Sequence, residues 1–294
     1  MRLKGIYQQR STYFKFSLLC LIIFISFVIH NLIVSGLFSL FYKDAVFLLQ
    51  NPDLSNPRTV NYLKIVQGIT SVGIFIFPLF IYAYLTRFNF NLVLPNRQNT
   101  LLAITIMILI TPFISLLIKW NMNIDFPDWI MRFDINSDDM LIAFLKIKNI
   151  YELLFTILIL AVIPAIGEEL LFRGYIQNQL GNIFKKMWFS ILLTSVFFSI
   201  IHMDVHGMIP RFFLGVILGY LFYWSQSIWV PIIAHFINNA QAVIIAYITF
   251  KSTASEPDFF SETDVDYRVA VFSLLSVLLL LYLVSKTNRK IEAN

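Results

Sequence analysis

Three short stretches carry polar side chains where the surrounding chain is almost wholly apolar. The first is Gly-Glu-Glu-Leu-Leu-Phe-Arg-Gly-Tyr-Ile, residues 167–176. Glu169 and Arg173 stand four apart, so on a helix they share a face and can pair. Glu168 is turned about 100° away, toward the face of Phe172 and Tyr175. One carboxylate is thereby neutralised and its neighbour is left free for general-base work on a water. The second stretch is Phe-Ser-Ile-Ile-His, where the Phe198 ring can pack beside the His202 imidazole at the same spacing. The third is His-Phe-Ile-Asn-Asn, with His235 and Asn239 on one face and Asn238 nearby. Each stretch also has a plainer reading: an ion pair at a helix end, a satisfied core histidine, and an interhelical hydrogen-bond clamp. His206 repeats the four-residue spacing from His202, as half a metal site would. The intervening Asp204 and following Gly207 read better as a helix end meeting water.

The elements that must hold these groups follow from composition. Of 294 residues, 58% are hydrophobic and 13% charged, and 30 are Phe. A soluble domain carries about 25% charge, and a globule of this size cannot hide so much apolar surface. That excludes a soluble cytosolic enzyme, a nucleic-acid binder and a disordered chain. The expected fold is an all-α, polytopic membrane helix bundle of about eight transmembrane helices. Windows of roughly 20 apolar residues place them near 14–41, 60–86, 101–118, 149–180, 187–203, 208–224, 229–250 and 269–285. The first segment follows a basic start, but no small-residue cleavage pattern follows it, so it reads as a retained anchor. Cys20 is the one cysteine, which excludes an intrachain disulfide and a cysteine zinc site; it reads as a packed thiol.

Charge bias orients the bundle. Arg2, Lys4, Arg10 and Lys15 precede the first span without an acid. Arg87, Arg97, Lys185, Lys186, Lys286, Arg289 and Lys290 fall on the same side if all eight segments cross. The opposite side receives 119–139 and 251–268, each with two basic and five acidic residues. Both termini are therefore expected in the cytoplasm. Residues 1–140 read as motif-free transmembrane helices, 141–250 as the functional core and 251–294 as an acidic loop with the last helix, all in one membrane domain.

Depth ties the motifs together. Glu168 lies 13 residues before Gly181 and His202 lies 16 after Lys186, about 20 and 24 Å from the turn between them. His235 lies only about 12 Å from the turn at Ser227. Tilt, or a hairpin at the 180s projecting from the membrane, must absorb the difference of roughly 10 Å. Gly215 and Gly219 form a small-xxx-small pair for close helix packing. Pro164 is placed to kink the helix before the Glu pair.

Glu168-Glu169-x-x-x-Arg173, Phe198-x-x-x-His202 and His235-x-x-x-Asn239, in that order on successive spans, resemble the CPBP intramembrane peptidases. That group holds the type II CAAX prenyl proteases and the bacterial Abi and bacteriocin-processing proteins. The resemblance covers about residues 145–250, and its likeness to the bacterial branch implies the plasma membrane of a bacterial cell. It implies an endopeptidase that cleaves a membrane-associated or lipid-modified peptide or protein within the bilayer. Carried over by position, Glu168 would activate water and His202 would help hold it. His235 and Asn239 would donate to the developing oxyanion, with Glu169, Arg173 and Phe198 in support. Zinc or another divalent metal on Glu168, His202 and His235 stays open beside a metal-free glutamate mechanism, because no H-E-x-x-H signature is present. The remaining alternative is a non-catalytic immunity, scaffold or transporter-like protein on the same fold.

Overall fold

The structure is a computed structural model, and it describes residues 3–41, 52–132, 138–253 and 266–292. The acidic stretches used for orientation fall partly outside these residues, at 133–137 and 254–265. All regular structure among the described residues is helical.

In chain order the helices are α1 (Thr12–Phe41), α2 (Pro57–Thr86), α3 (Arg97–Leu109), α4 (Thr111–Met122), α5 (Asp128–Met131) and α6 (Asp138–Leu145). Then follow α7 (Ile150–Phe184), α8 (Met187–Ile200), α9 (Met208–Ser225), α10 (Trp229–Thr253) and α11 (Tyr267–Glu292). Asparagines start three of them: Asn56, Asn96 and Asn149 each accept a backbone N–H of the first turn. At α7 the cap is reciprocal, because Asn149 accepts the Glu152 N–H at 3.0 Å and its own amide donates to the Glu152 carboxylate at 2.9 Å. Left-handed Arg87, Lys185 and Gln226 close α2, α7 and α9.

All eight predicted apolar segments are helices, but they do not all have spanning length. Six are long and apolar enough to cross, and α3 with α4 makes a seventh if that pair, bent by 44°, is one span. The bend is at Pro112, and the carbonyl of Ile108, which loses its N–H partner there, accepts the Thr111 hydroxyl at 3.3 Å. The remaining segment, α8, has 14 residues, about 21 Å. The chain is an integral, multi-pass membrane protein. Its outer face is apolar, with Phe24, Leu32, Phe80, Leu275 and Leu279 all more than half exposed. Cys20 also lies on an exposed face; the expected packed thiol is corrected, because α1 turns that side of its first turns outward.

Two helices break in the same way. In α2 a π segment, Val72–Ile76, ends two residues before Pro78. In α7 another, Leu158–Val162, ends two residues before Pro164. A proline ring clashes with the carbonyl four residues back, and a wider π turn relieves the clash. The two broken helices pack at glycines. A Cβ built on Gly68 would lie 2.5 Å from Ile159 Cδ1, and one on Gly167 would lie 2.7 Å from Phe75 Cβ. A third π segment, Leu170–Gln177, follows the Glu pair.

α7 has 35 residues, about 52 Å against about 30 Å of hydrocarbon. That length leaves room for the expected projecting hairpin with α8. One core cluster joins Leu79 and Tyr82 of α2, Leu170, Phe172 and Tyr175 of α7, Phe198 of α8, Phe222 of α9 and Ile232 of α10. It forms the floor on which the polar groups sit.

Candidate active site

The three stretches meet. Glu169 and Arg173 of α7 form a fully buried ion pair, Oε1 to Nη1 2.7 Å. The same Glu169 oxygen accepts from His235 Nδ1 of α10 at 2.8 Å. Arg173 Nη2 donates to the Gly215 carbonyl of α9 at 3.2 Å. Gln177, one turn further along α7, donates to the Gly219 carbonyl at 3.1 Å. The small-xxx-small pair therefore does two things. It lets α8 and α9 approach, since a Cβ on Gly215 would lie 3.0 Å from Ser195 Cβ. It also bares the two carbonyls that α7 uses as acceptors.

Phe198 organises the ring side of the site. Its ring meets Phe172 at 5.2 Å, His202 at 5.0 Å and His235 at 5.9 Å, all edge-on. The Arg173 guanidinium lies over its face, 4.6 Å from the centroid. The expected Phe198–His202 packing is present, with Arg173 and His235 on the same ring.

The hydrogen bonds fix both imidazoles. His202 Nδ1 lies 2.7 Å from the Phe198 carbonyl. A carbonyl only accepts, so Nδ1 carries the proton and a neutral ring has its lone pair on Nε2. His235 Nδ1 faces the Glu169 carboxylate, so its free lone pair is also on Nε2. Both Nε2 atoms face Glu168 Oε2, at 3.7 Å from His202 and 3.9 Å from His235. These separations exceed hydrogen-bond length. Glu168 Oε2 is buried and has no hydrogen-bond partner within the protein. Three acceptors thus converge on one point, a position suited to a donor such as water.

That donor set also suits zinc in kind, since each imidazole presents Nε2 while its Nδ1–H is held by an acceptor. The geometry does not close around an ion. Glu168 Oε2 stands further from each Nε2 than the edge of about 3.3 Å implied by ligand bonds of about 2.0–2.1 Å. Among the described residues no group of three or more His, Cys, Asp or Glu could hold a metal. His206 offers its backbone: its carbonyl accepts the Asn121 amide.

Asn239 is tied to the α7 backbone. Its amide donates to the Leu160 carbonyl at 3.2 Å, and its oxygen accepts from Asn238 at 3.1 Å. Leu160 lies four residues before Pro164, so its carbonyl faces a position with no N–H. Pro164 thus leaves this carbonyl without a helical N–H, and Asn239 supplies the donor.

Sequence spacing does not point to Asn121, the last-turn residue of α4. It is wholly buried and holds the 201–207 connection that carries His202. Asp204 braces the same connection through Arg211 at 2.5 Å and the Gly207 N–H at 2.9 Å.

Residues 150–241 match the family model described as type II CAAX prenyl endopeptidase Rce1-like. Over 91 residues the chain is 32% identical to "Putative membrane peptidase YdiL" of Bacillus subtilis (strain 168). That alignment covers 30% of this chain and 36% of the relative, so the chain spans about a third of the length of the curated protein it matches. No solved structure matches. The stretch that contributes Glu168, Glu169, Arg173, Phe198, His202, His235 and Asn239 is thus similar to the Rce1-like type II CAAX prenyl endopeptidases.

Proposed function

We propose that this chain is an intramembrane endopeptidase that hydrolyses a peptide bond of a membrane-associated or lipid-modified substrate. The observation that carries the reading is the convergence of His202 Nε2 and His235 Nε2 on the unpartnered Glu168 Oε2. A water there donates one hydrogen to Glu168 and another to an imidazole lone pair. Its own lone pair is then free to attack a carbonyl carbon. Glu168 takes the proton as the C–O bond forms, and later returns it to the leaving amine. The oxyanion needs donors, and a neutral Nε2 is an acceptor. His235, whose Nδ1 faces the Glu169 carboxylate, therefore serves the oxyanion only in its doubly protonated form. Glu169 is in turn held by Arg173, so that arm of the site is braced from α9. Asn239, with one N–H on the Leu160 carbonyl, has its second N–H left for substrate.

The test uses purified protein in liposomes with two peptides ending in Cys-aliphatic-aliphatic-X, one S-farnesylated and one unmodified. Wild type is expected to cut at least one. Glu168→Gln and His202→Ala should lower the rate by about 10²–10⁴-fold while the protein stays folded by thermal shift. Chelator titration should leave the rate unchanged, as a glutamate mechanism requires. Two failures together would sink the reading: no cleavage of either peptide, and a membrane proteome identical in cells carrying wild type or Glu168→Gln.

One set of observations favours a second reading, a non-catalytic membrane protein. Glu169, Arg173 and Asn239 are each committed to interhelical bonds. If they only clamp helices, Glu168→Gln loses nothing in cells.

A further inference from the structure

We infer that Asn121, in the region without motifs and outside the segment similar to known peptidases, is a positioning residue for His202. Its side chain is fully buried at the end of α4 and uses both ends of its amide. The nitrogen donates to the Val205 carbonyl at 2.9 Å and the His206 carbonyl at 2.6 Å. The oxygen accepts the Ile209 N–H at 3.2 Å.

Ile209 is in the first turn of α9, whose N-cap residue Gly207 gives no side-chain cap. Asn121 therefore caps α9 from another helix while gripping the two carbonyls that precede it. Carbonyls need a donor and a first-turn N–H needs an acceptor, so the site is matched to a primary amide. Aspartate has the acceptor alone, and alanine has neither.

The consequence reaches His202 through a short connection. Its α8 end is fixed by Ile201 N–H to the Phe197 carbonyl, 3.1 Å, and Met203 N–H to the Ile200 carbonyl, 3.0 Å. Met203 itself is left-handed, φ 48°. Its α9 end is fixed by Asn121, with the Asp204–Arg211 pair alongside. His202 stands between the two anchors. Loosening one of them lets Nε2 drift from Glu168 Oε2, and a misplacement of about 1 Å costs about 100-fold in rate.

The catalytic arm of the test rests on the peptidase reading; the spectroscopic arm does not. Histidine-labelled protein in nanodiscs gives imidazole nitrogen signals, assigned by His202→Asn, His30→Asn and His235→Asn. In Asn121→Ala the His202 signals are expected to broaden or shift while those of His30 and His235 stay put. On a cleaved peptide, kcat should fall about 10–100-fold with KM within twofold. Asn121→Asp keeps the α9 cap and loses the carbonyl clamp. Its second carboxylate oxygen would face the Val205 and His206 carbonyl oxygens, so it should be no more stable than Asn121→Ala and share its loss of kcat. Unchanged His202 signals in Asn121→Ala overturn the inference, as does full kcat in Asn121→Asp. So does an equal disturbance of all three histidines, which would mark a general loosening. If wild type cuts neither peptide, the peptidase reading fails alone, and the His202 signals still decide the role of Asn121.

Discussion

Glu169 shows how one carboxyl group can serve two helices. Its Oε1 receives Arg173 from its own helix and His235 from α10. Both partners are needed because the ion pair is fully buried, where an unpaired charge is far more costly than the pair. Arg173→Met should therefore destabilise the protein by about 3–5 kcal/mol, read as a loss of thermal stability in detergent. Glu169→Gln/Arg173→Met removes both charges and should recover much of that loss. If the double variant is no better than Arg173→Met, the charge argument is wrong and packing over Phe198 dominates. The Glu169–Arg173 pair was legible in the sequence because four-residue spacing on one helix fixes it locally. The third partner was not, because it requires His235 on a helix 66 positions away to arrive at the same depth.

At the scale of the element, prolines and glycines shape the site. Gly167→Ala should cost about 1–3 kcal/mol, since the new methyl would meet Phe75 Cβ, which cannot swing away. Gly36→Ala is the control: a Cβ there meets nothing within 4 Å. Its helix should gain slightly or stay level in the same melt. Asn239→Ala should cost about 1–3 kcal/mol, and less in a Pro164→Ala background. Restoring the N–H at 164 gives the Leu160 carbonyl its own partner, and a double-mutant cycle would measure that coupling. Among the described residues the apolar windows coincide with helices, because lipid demands long apolar runs, and one of them, α8, lacks spanning length. They could not show the π segments, the 44° bend at Pro112 or the shortness of α8. Those depend on how packed neighbours take up backbone groups that proline leaves free. Asn121 escaped for a related reason. It stands in Lys-Trp-Asn-Met-Asn without helical spacing to any motif, and its partners are backbone atoms of a connection 84 residues away.

Among the described residues the motif side chains gather where α7, α8, α9 and α10 meet. We propose that both termini face the cytoplasm, on the lysine and arginine bias, which requires the short α8 and the bent α3–α4 pair each to cross once. In a Cys20→Ser background, Lys186→Cys should react with a membrane-impermeant maleimide only from the cytoplasmic side, and Asn123→Cys only from the opposite side. Labelling of both from one side would overturn this orientation. The brevity of α8 has a further consequence. With 14 residues it is about 21 Å long, some 9 Å short of the usual hydrocarbon depth. α9, at 18 residues, is only about 27 Å. Lipid beside such helices must dip toward them, and the connection between the two carries Asp204 and Arg211, which draw head groups and water inward. On the peptidase reading proposed above, a bilayer drawn in beside α8 and α9 would give water its shortest route to Glu168 past His202, through a dimple that the protein presses into its own membrane.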